Sequence, residues 1–138
     1  MGGAIAYCYA AHGRYTMKAI FPCIGTPNLT QMGEKSYEDC YDHGKAVAPV
    51  WTAEQCSAFA AAYSPHQYPE RFVNTYVYAG NGAKDSIPLE GPQDLKAAVE
   101  ALGGAGFDLI IDPDRGHERL PEYYDKLFDK IVEVLLGE

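Results

Sequence analysis

The feature that most constrains this chain is the regular alternation of short apolar runs with segments of helical period. Apolar runs lie at residues 17–21, 72–78 and 107–111, and each is followed along the chain by a segment whose apolar residues recur every three or four positions. Strands that alternate with helices pair in parallel through right-handed crossovers, which places helices on both faces of the sheet. The pattern therefore predicts an α/β fold with about three parallel strands.

Capping residues give the bounds of the predicted elements. Thr52 and Gln55 form a capping-box pattern, Pro65 ends the helix that follows it, and Gly80-Asn81-Gly82 is predicted to be a turn. The predicted elements are helix 2–12, strand 17–21, helix 52–64, strand 72–78, helix 91–102, strand 107–111 and helix 121–136. The packing faces are predicted to carry Cys56, Phe59, Ala60 and Tyr63 in the second helix, Leu95, Ala98, Val99 and Leu102 in the third, and Tyr124, Leu127, Phe128, Ile131 and Leu135 in the last.

Length and composition restrict the class of protein. A chain of 138 residues is predicted to form a single domain, 1–138. Residues 23–50 show neither a helical repeat of apolar residues nor an apolar run typical of a strand, so they are predicted to form a surface excursion or cap-like insertion. The net charge of −8 and the absence of a Lys/Arg cluster exclude nucleic acid as an expected partner. No apolar run is long enough for a membrane span, and the first residues lack the charged and apolar regions of a signal peptide, so neither feature is expected in these residues. The compartment stays open.

The cysteines leave two alternatives open. Cys8, Cys23, Cys40 and Cys56 permit two disulfides or free thiols. Cys40-Tyr41-Asp42-His43 contains a C-x-x-H pair that Cys23, Cys56 and His66 could complete as a zinc site. The spacing is irregular and has no second tight pair, so no metal is expected and zinc remains the weaker alternative.

Two polar residues directly follow consecutive predicted strands. Asp85 comes after the second strand, and His117 after the third. Neighbouring parallel strands lie about 4.8 Å apart, so the loops that leave them can bring a carboxylate to an imidazole. Each residue also has an ordinary explanation, since aspartate often caps its own turn and a histidine after glycine often lies at the surface.

The segment Gly80-x-x-x-x-Asp85-x-x-Pro88, then a helix, a strand and Gly116-His117-Glu118 ahead of a last helix, resembles the C-terminal end of an α/β-hydrolase. This family includes esterases, lipases, dienelactone-hydrolase-like proteins and related peptidases. The resemblance implies a partial α/β-hydrolase fold, with Asp85 as the acid of a catalytic triad, His117 as its general base, and no cofactor.

The first residues resemble another part of the same family. Members carry the nucleophile in a G-x-S-x-G elbow that continues into an Ala-rich helix, and Met1-Gly2-Gly3-Ala4 is similar to that elbow cut just after its nucleophile. The resemblance implies that the backbone N–H of Met1 serves the oxyanion hole. Met-Gly-Gly is also an ordinary N-terminus. Among the serines, Ser57, Ser64 and Ser86 do not lie in a strand-to-helix elbow and are not expected to replace the nucleophile.

The resemblance implies hydrolysis of a small-molecule ester, thioester or amide through an acyl-enzyme, with the nucleophile missing from this chain. Covalent catalysis is worth roughly 10⁶ in rate where triads have been dissected, so the isolated chain is expected to be nearly inactive. The alternative is a catalytically inactive half-fold that acts by self-association or by complementing another chain. Because the family's upstream strands are absent from this chain, the first predicted strand has an unpaired parallel edge. Such an edge predicts a homo-oligomer or a complementing N-terminal chain.

Overall fold

A computed structural model of the chain describes residues 2–32 and 52–137. Met1 and most of the expected excursion, residues 33–50, lie outside the described residues. The helices and strands are α1 (Gly2–His12), β1 (Ala19–Ile20), α2 (Ala53–Tyr63), β2 (Tyr76–Gly82), α3 (Glu90–Ala101), β3 (Phe107–Asp112) and α4 (Pro121–Leu136). Short 3-10 turns occupy Leu29–Met32, Pro65–Gln67 and Pro69–Phe72.

The three strands form one parallel sheet in the order β1-β2-β3. Ala19 pairs with Tyr76, and Val77 pairs with Phe107. The contact between β1 and β2 continues past the end of β1, where Gly80 accepts a hydrogen bond from Ile24 N at 2.8 Å. The predicted α/β class and parallel sheet are confirmed.

Helices cover both faces of the sheet. Successive side chains of each strand point to opposite faces, so apolar side chains on both faces need a covering helix. Val77 and Ala79 of β2 point to the face on which α1 and α3 pack, and the fully buried Leu95 and Val99 of α3 complete that core. Tyr78 points to the other face, where it packs against Tyr123 of α4. Among the described residues, none of the helices combines the length and apolar character needed to cross a membrane.

The capping prediction for α2 is confirmed. Thr52 Oγ1 accepts a hydrogen bond from Gln55 N at 3.2 Å, and Gln55 Oε1 accepts one from Thr52 N at 2.8 Å. The helix then ends at Ser64, directly before Pro65. At the other end of the chain, α4 ends at Gly137, whose φ of 75° is in the left-handed region.

The predicted bounds of the second strand and the turn after it are wrong. Phe72 belongs to a 3-10 turn, and β2 runs through Gly80-Asn81-Gly82 to its end. These residues continue the strand and contact other parts of the chain closely. A Cβ on Gly80 would lie 2.5 Å from the ring of Tyr123, and the buried Asn81 donates a hydrogen bond to Gly25 O at 3.0 Å. The first strand is also shorter than predicted, since β1 covers only Ala19–Ile20.

The packing faces predicted for α2 and α4 are partly wrong. In α2, Ala60 is buried, whereas Phe59 and Tyr63 are exposed and stack on each other on the outer side. In α4, the buried side chain is Tyr123, which the predicted face omitted. The ring of Tyr123 covers Gly80 on the sheet, and this contact turns the helix so that its predicted residues Tyr124, Phe128 and Leu135 are exposed. At the end of α3, Leu102 is exposed as well.

Two buried tyrosines differ in how their hydroxyl groups are satisfied. Tyr123 donates to Phe21 O at 2.8 Å. The hydroxyl of the fully buried Tyr7 has no hydrogen-bond partner among the described residues. A buried polar group without a partner costs about 1–3 kcal/mol, whereas a satisfied one contributes about 1 kcal/mol.

We therefore expect Tyr7→Phe to raise the free energy of unfolding by about 1 kcal/mol, and the matched Tyr123→Phe to lower it by about 1 kcal/mol. Urea denaturation followed by circular dichroism measures both changes. A loss of stability in Tyr7→Phe as large as that in Tyr123→Phe would show that the Tyr7 hydroxyl has a partner in solution.

Candidate active site

The carboxyl ends of β2 and β3 bring two loops together. The last pair of the ladder joins Gly82 to Asp112. Beyond it, Ala83 N donates to Asp112 O and Lys84 N donates to Arg115 O, both at 2.8 Å. The two loops therefore remain in backbone contact after the strands end, and the residues that follow them are held side by side.

This contact places Asp85 beside His117. The Nδ1 atom of His117 lies 3.1 Å from Oδ2 and 3.4 Å from Oδ1 of Asp85. The Asp85 side chain is 0% exposed, whereas the His117 side chain is 60% exposed. A buried carboxylate thus supports an imidazole that reaches into solvent.

The two carboxylate oxygens of Asp85 have different partners. Oδ1 accepts a hydrogen bond from Ile87 N at 3.0 Å, which is the aspartate turn expected of this residue type. Ser86 Oγ donates to the same oxygen at 3.4 Å. Oδ2 is the oxygen closer to His117. The turn and the contact with the imidazole coexist, because the turn fixes the carboxylate in the orientation in which Oδ2 meets Nδ1.

The geometry assigns separate roles to the two nitrogen atoms of His117. With Nδ1 against a carboxylate, the neutral ring carries its proton on Nδ1 and leaves the Nε2 lone pair free to accept one. Nothing else among the described residues hydrogen-bonds to this ring. Nε2 is therefore a proton acceptor directed away from the carboxylate.

The serines of the described residues do not approach Nε2 as a nucleophile would. Ser86 contacts Asp85, on the carboxylate side of the imidazole. Ser64 is fully buried, where its hydroxyl donates to Ala60 O at 2.6 Å and accepts from Leu29 N. Ser57 lies on the exposed side of α2. Their positions agree with the expectation that none occupies a strand-to-helix elbow.

Two thiols also lie in the described residues. Cys8 and Cys23 are free and half-buried. Burial raises the pKa of the Cys8 thiol and of the Cys23 thiol. Nucleophilic cysteines need the opposite change, since the thiolate is the reactive form. Cys40 and the side chain of Cys56 lie outside the described residues.

The start of α1 is fixed to the same edge of the sheet as the Asp85 loop. A Cβ on Gly3 would lie 2.8 Å from Cys23 O, and one on Gly25 would lie 2.7 Å from Ala4 N. Asn81, at the carboxyl end of β2, hydrogen-bonds to Gly25 O. The turn predicted at Gly80-Asn81-Gly82 gave Asn81 no such role, although a polar residue between two glycines shortly after a predicted strand is the signal that could have indicated it.

Several other residues predicted to take part in a site lie outside the part of the chain that the structure describes. Met1, with its expected oxyanion-hole N–H, lies outside the described residues, as do Cys40 and His43 of the alternative zinc site. Within residues 2–32 and 52–137, no group of three or more histidine, cysteine or acidic side chains is arranged to hold a metal ion. Comparison with models of known protein families and with curated protein sequences finds no match to this chain.

The burial of Asp85 and the exposure of His117 predict unequal effects of their removal. Asp85→Ala leaves Ile87 N without its acceptor, so we expect it to lower the free energy of unfolding by about 1–2 kcal/mol. His117→Ala removes a mostly exposed side chain and leaves Asp85 its bonds from Ile87 N and Ser86 Oγ, so it is expected to cost less, at most about 1 kcal/mol. Chemical denaturation measures both. A larger loss for His117→Ala would mean that the imidazole is part of the packed structure.

Proposed function

We propose that this chain supplies the acid and the base of a serine-hydrolase-type active site of the α/β-hydrolase kind. The reaction is hydrolysis of an ester, thioester or amide through an acyl-enzyme. The observation that carries the proposal is the contact between Nδ1 of an exposed imidazole, His117, and the fully buried carboxylate of Asp85. These residues lie on loops that leave neighbouring parallel strands, in the order that the family resemblance implies.

In this proposal, His117 moves the proton. Nε2 takes a proton from the nucleophile as it attacks the carbonyl carbon, and returns that proton to the leaving group when the tetrahedral intermediate collapses. Asp85 keeps the ring in the Nδ1–H tautomer and stabilises the imidazolium that forms. Because the carboxylate is shielded from water, its interaction with the imidazolium is screened less than that of an exposed pair.

The nucleophile and the oxyanion hole come from the start of α1 in this proposal. The family resemblance places a nucleophile immediately before Met1 and assigns the Met1 backbone N–H to the oxyanion hole. The close packing of Gly3 on Cys23 O, and of Gly25 on Ala4 N, supports it, since this packing holds the first turn of α1 at the carboxyl edge of the sheet. A developing oxyanion is stabilised at such a helix start by backbone N–H groups.

This arrangement predicts that one added serine restores reactivity. The 138-residue chain itself should give no fluorophosphonate adduct and negligible ester turnover. A chain extended by Gly-His-Ser directly before Met1 should form a single adduct, read by intact mass, because the proposal assigns the nucleophile to the residue directly before Met1. The adduct should be lost in the extended chain that also carries His117→Ala.

The matched control is the extension Gly-His-Ala, which changes only the hydroxyl and should remain unlabelled. Equal labelling of the two extensions would contradict the proposed position of the nucleophile. An adduct on the unextended chain would place a competent nucleophile within the 138 residues.

A second candidate function is association without catalysis, either with a second copy or with a complementing chain. It is supported by apolar side chains on the outer side of α4, where Phe128 is 72% and Leu136 is 67% exposed. Exposed apolar surface of this kind often marks an interface. Light scattering should then give a mass above the 15.1 kDa of one chain, and Phe128→Lys should lower it while the neighbouring Asp129→Lys should not. A monomer at high concentration would count against self-association.

A further inference from the structure

Gly82 ends β2 and lies against the backbone of the loop that carries His117. A Cβ added at this position would be 2.4 Å from Arg115 O and 2.5 Å from Gly116 O. Non-bonded heavy atoms in contact prefer separations of about 3.5 Å, so even the Cβ of an alanine would need about 1 Å more room. Both atoms that it would meet belong to the backbone and cannot move as a flexible side chain does.

Glycine is needed at position 82 because there is no room for a side chain, and not because of the backbone conformation. Gly82 continues the ladder of β2 opposite Asp112, in extended backbone that other residues also adopt. The missing side chain lets the Asp85 loop and the His117 loop touch. Lys84 N reaches Arg115 O at 2.8 Å directly after the close approach, and a Cβ on Gly116 would be 3.2 Å from Lys84 O.

We propose that Gly82 is a positioning residue of the active site: by lacking a side chain, it sets the separation between Asp85 and His117. This inference rests on the proposed function. The Nδ1–Oδ2 distance is 3.1 Å, and a hydrogen bond weakens once the atoms are more than about 3.5 Å apart. A displacement of about 1 Å between the loops therefore breaks the bond, and misplacement on that scale can cost about 10² in rate.

The test reads the tautomer of His117 in chains labelled with ¹⁵N-histidine. The sequence contains four histidines, and His117→Gln assigns the signal of His117 in long-range ¹H–¹⁵N spectra. At mildly alkaline pH, the unsubstituted chain should show His117 with its proton on Nδ1. Gly82→Ala should lose that form in favour of the Nε2–H tautomer, because the imidazole no longer reaches the carboxylate.

Gly80→Ala is the matched control. It lies two residues earlier in β2, and its Cβ would be 2.5 Å from the ring of Tyr123 on the face covered by α4. It should destabilise the fold through that clash while leaving the His117 tautomer unchanged. A merely structural role for Gly82 would predict the same spectrum for both substitutions, and that result would overturn the proposal.

If Gly82→Ala does not fold, Gly116→Ala decides the question. It introduces a milder contact, 3.2 Å from Lys84 O, between the same two loops. A detectable Nε2–H population is expected, and its absence would overturn the positioning role. The outcomes also separate the two proposals. A His117 without the Nδ1–H form in the unsubstituted chain contradicts the proposed function, whereas Nδ1–H in every variant contradicts only the role of Gly82.

Discussion

The pairing of β2 with β3 brings together the two residues on which the candidate site depends, Asp85 and His117. These strands are parallel neighbours, so both end at the same edge of the sheet, and their ladder runs without interruption to Gly82 and Asp112. Two further backbone hydrogen bonds continue the contact into the loops. Asp85 and His117, which are 32 residues apart in the sequence, therefore meet because of main-chain geometry, and their own attraction adds to an approach already fixed.

Local sequence patterns were sufficient to predict the architecture and the meeting of these two residues. Alternating apolar and amphipathic segments predicted a parallel sheet with helices on both faces, since that topology depends on periodicity that each segment carries by itself. The position of Asp85 after β2 and of His117 after β3 then followed from chain order. Whether the pair acts on an ester, thioester or amide is not encoded in those patterns, because a fold does not determine a substrate.

The predictions were wrong where a contact between residues distant in the sequence determines the bounds of a strand or the packed face of a helix. Glycine favours turns in local statistics, yet Gly80 and Gly82 lie inside β2, because Tyr123 covers one and the backbone of Arg115 passes over the other. The face of α4 was misassigned for a related reason. Several of its apolar residues could form the packed side, and the fit of the Tyr123 ring over Gly80 selects one arrangement and leaves Phe128 in solvent.

The proposed chemistry requires that the exposed His117 remains bound to the buried carboxylate of Asp85. A crystal structure of this chain, at a resolution that orients the imidazole, tests it most directly. We expect Nδ1 to lie within hydrogen-bonding distance of Oδ2, near 3.1 Å, with Nε2 open to solvent. An imidazole turned into solvent, with Asp85 bound only to Ile87 N, would rule out His117 as a base supported by Asp85.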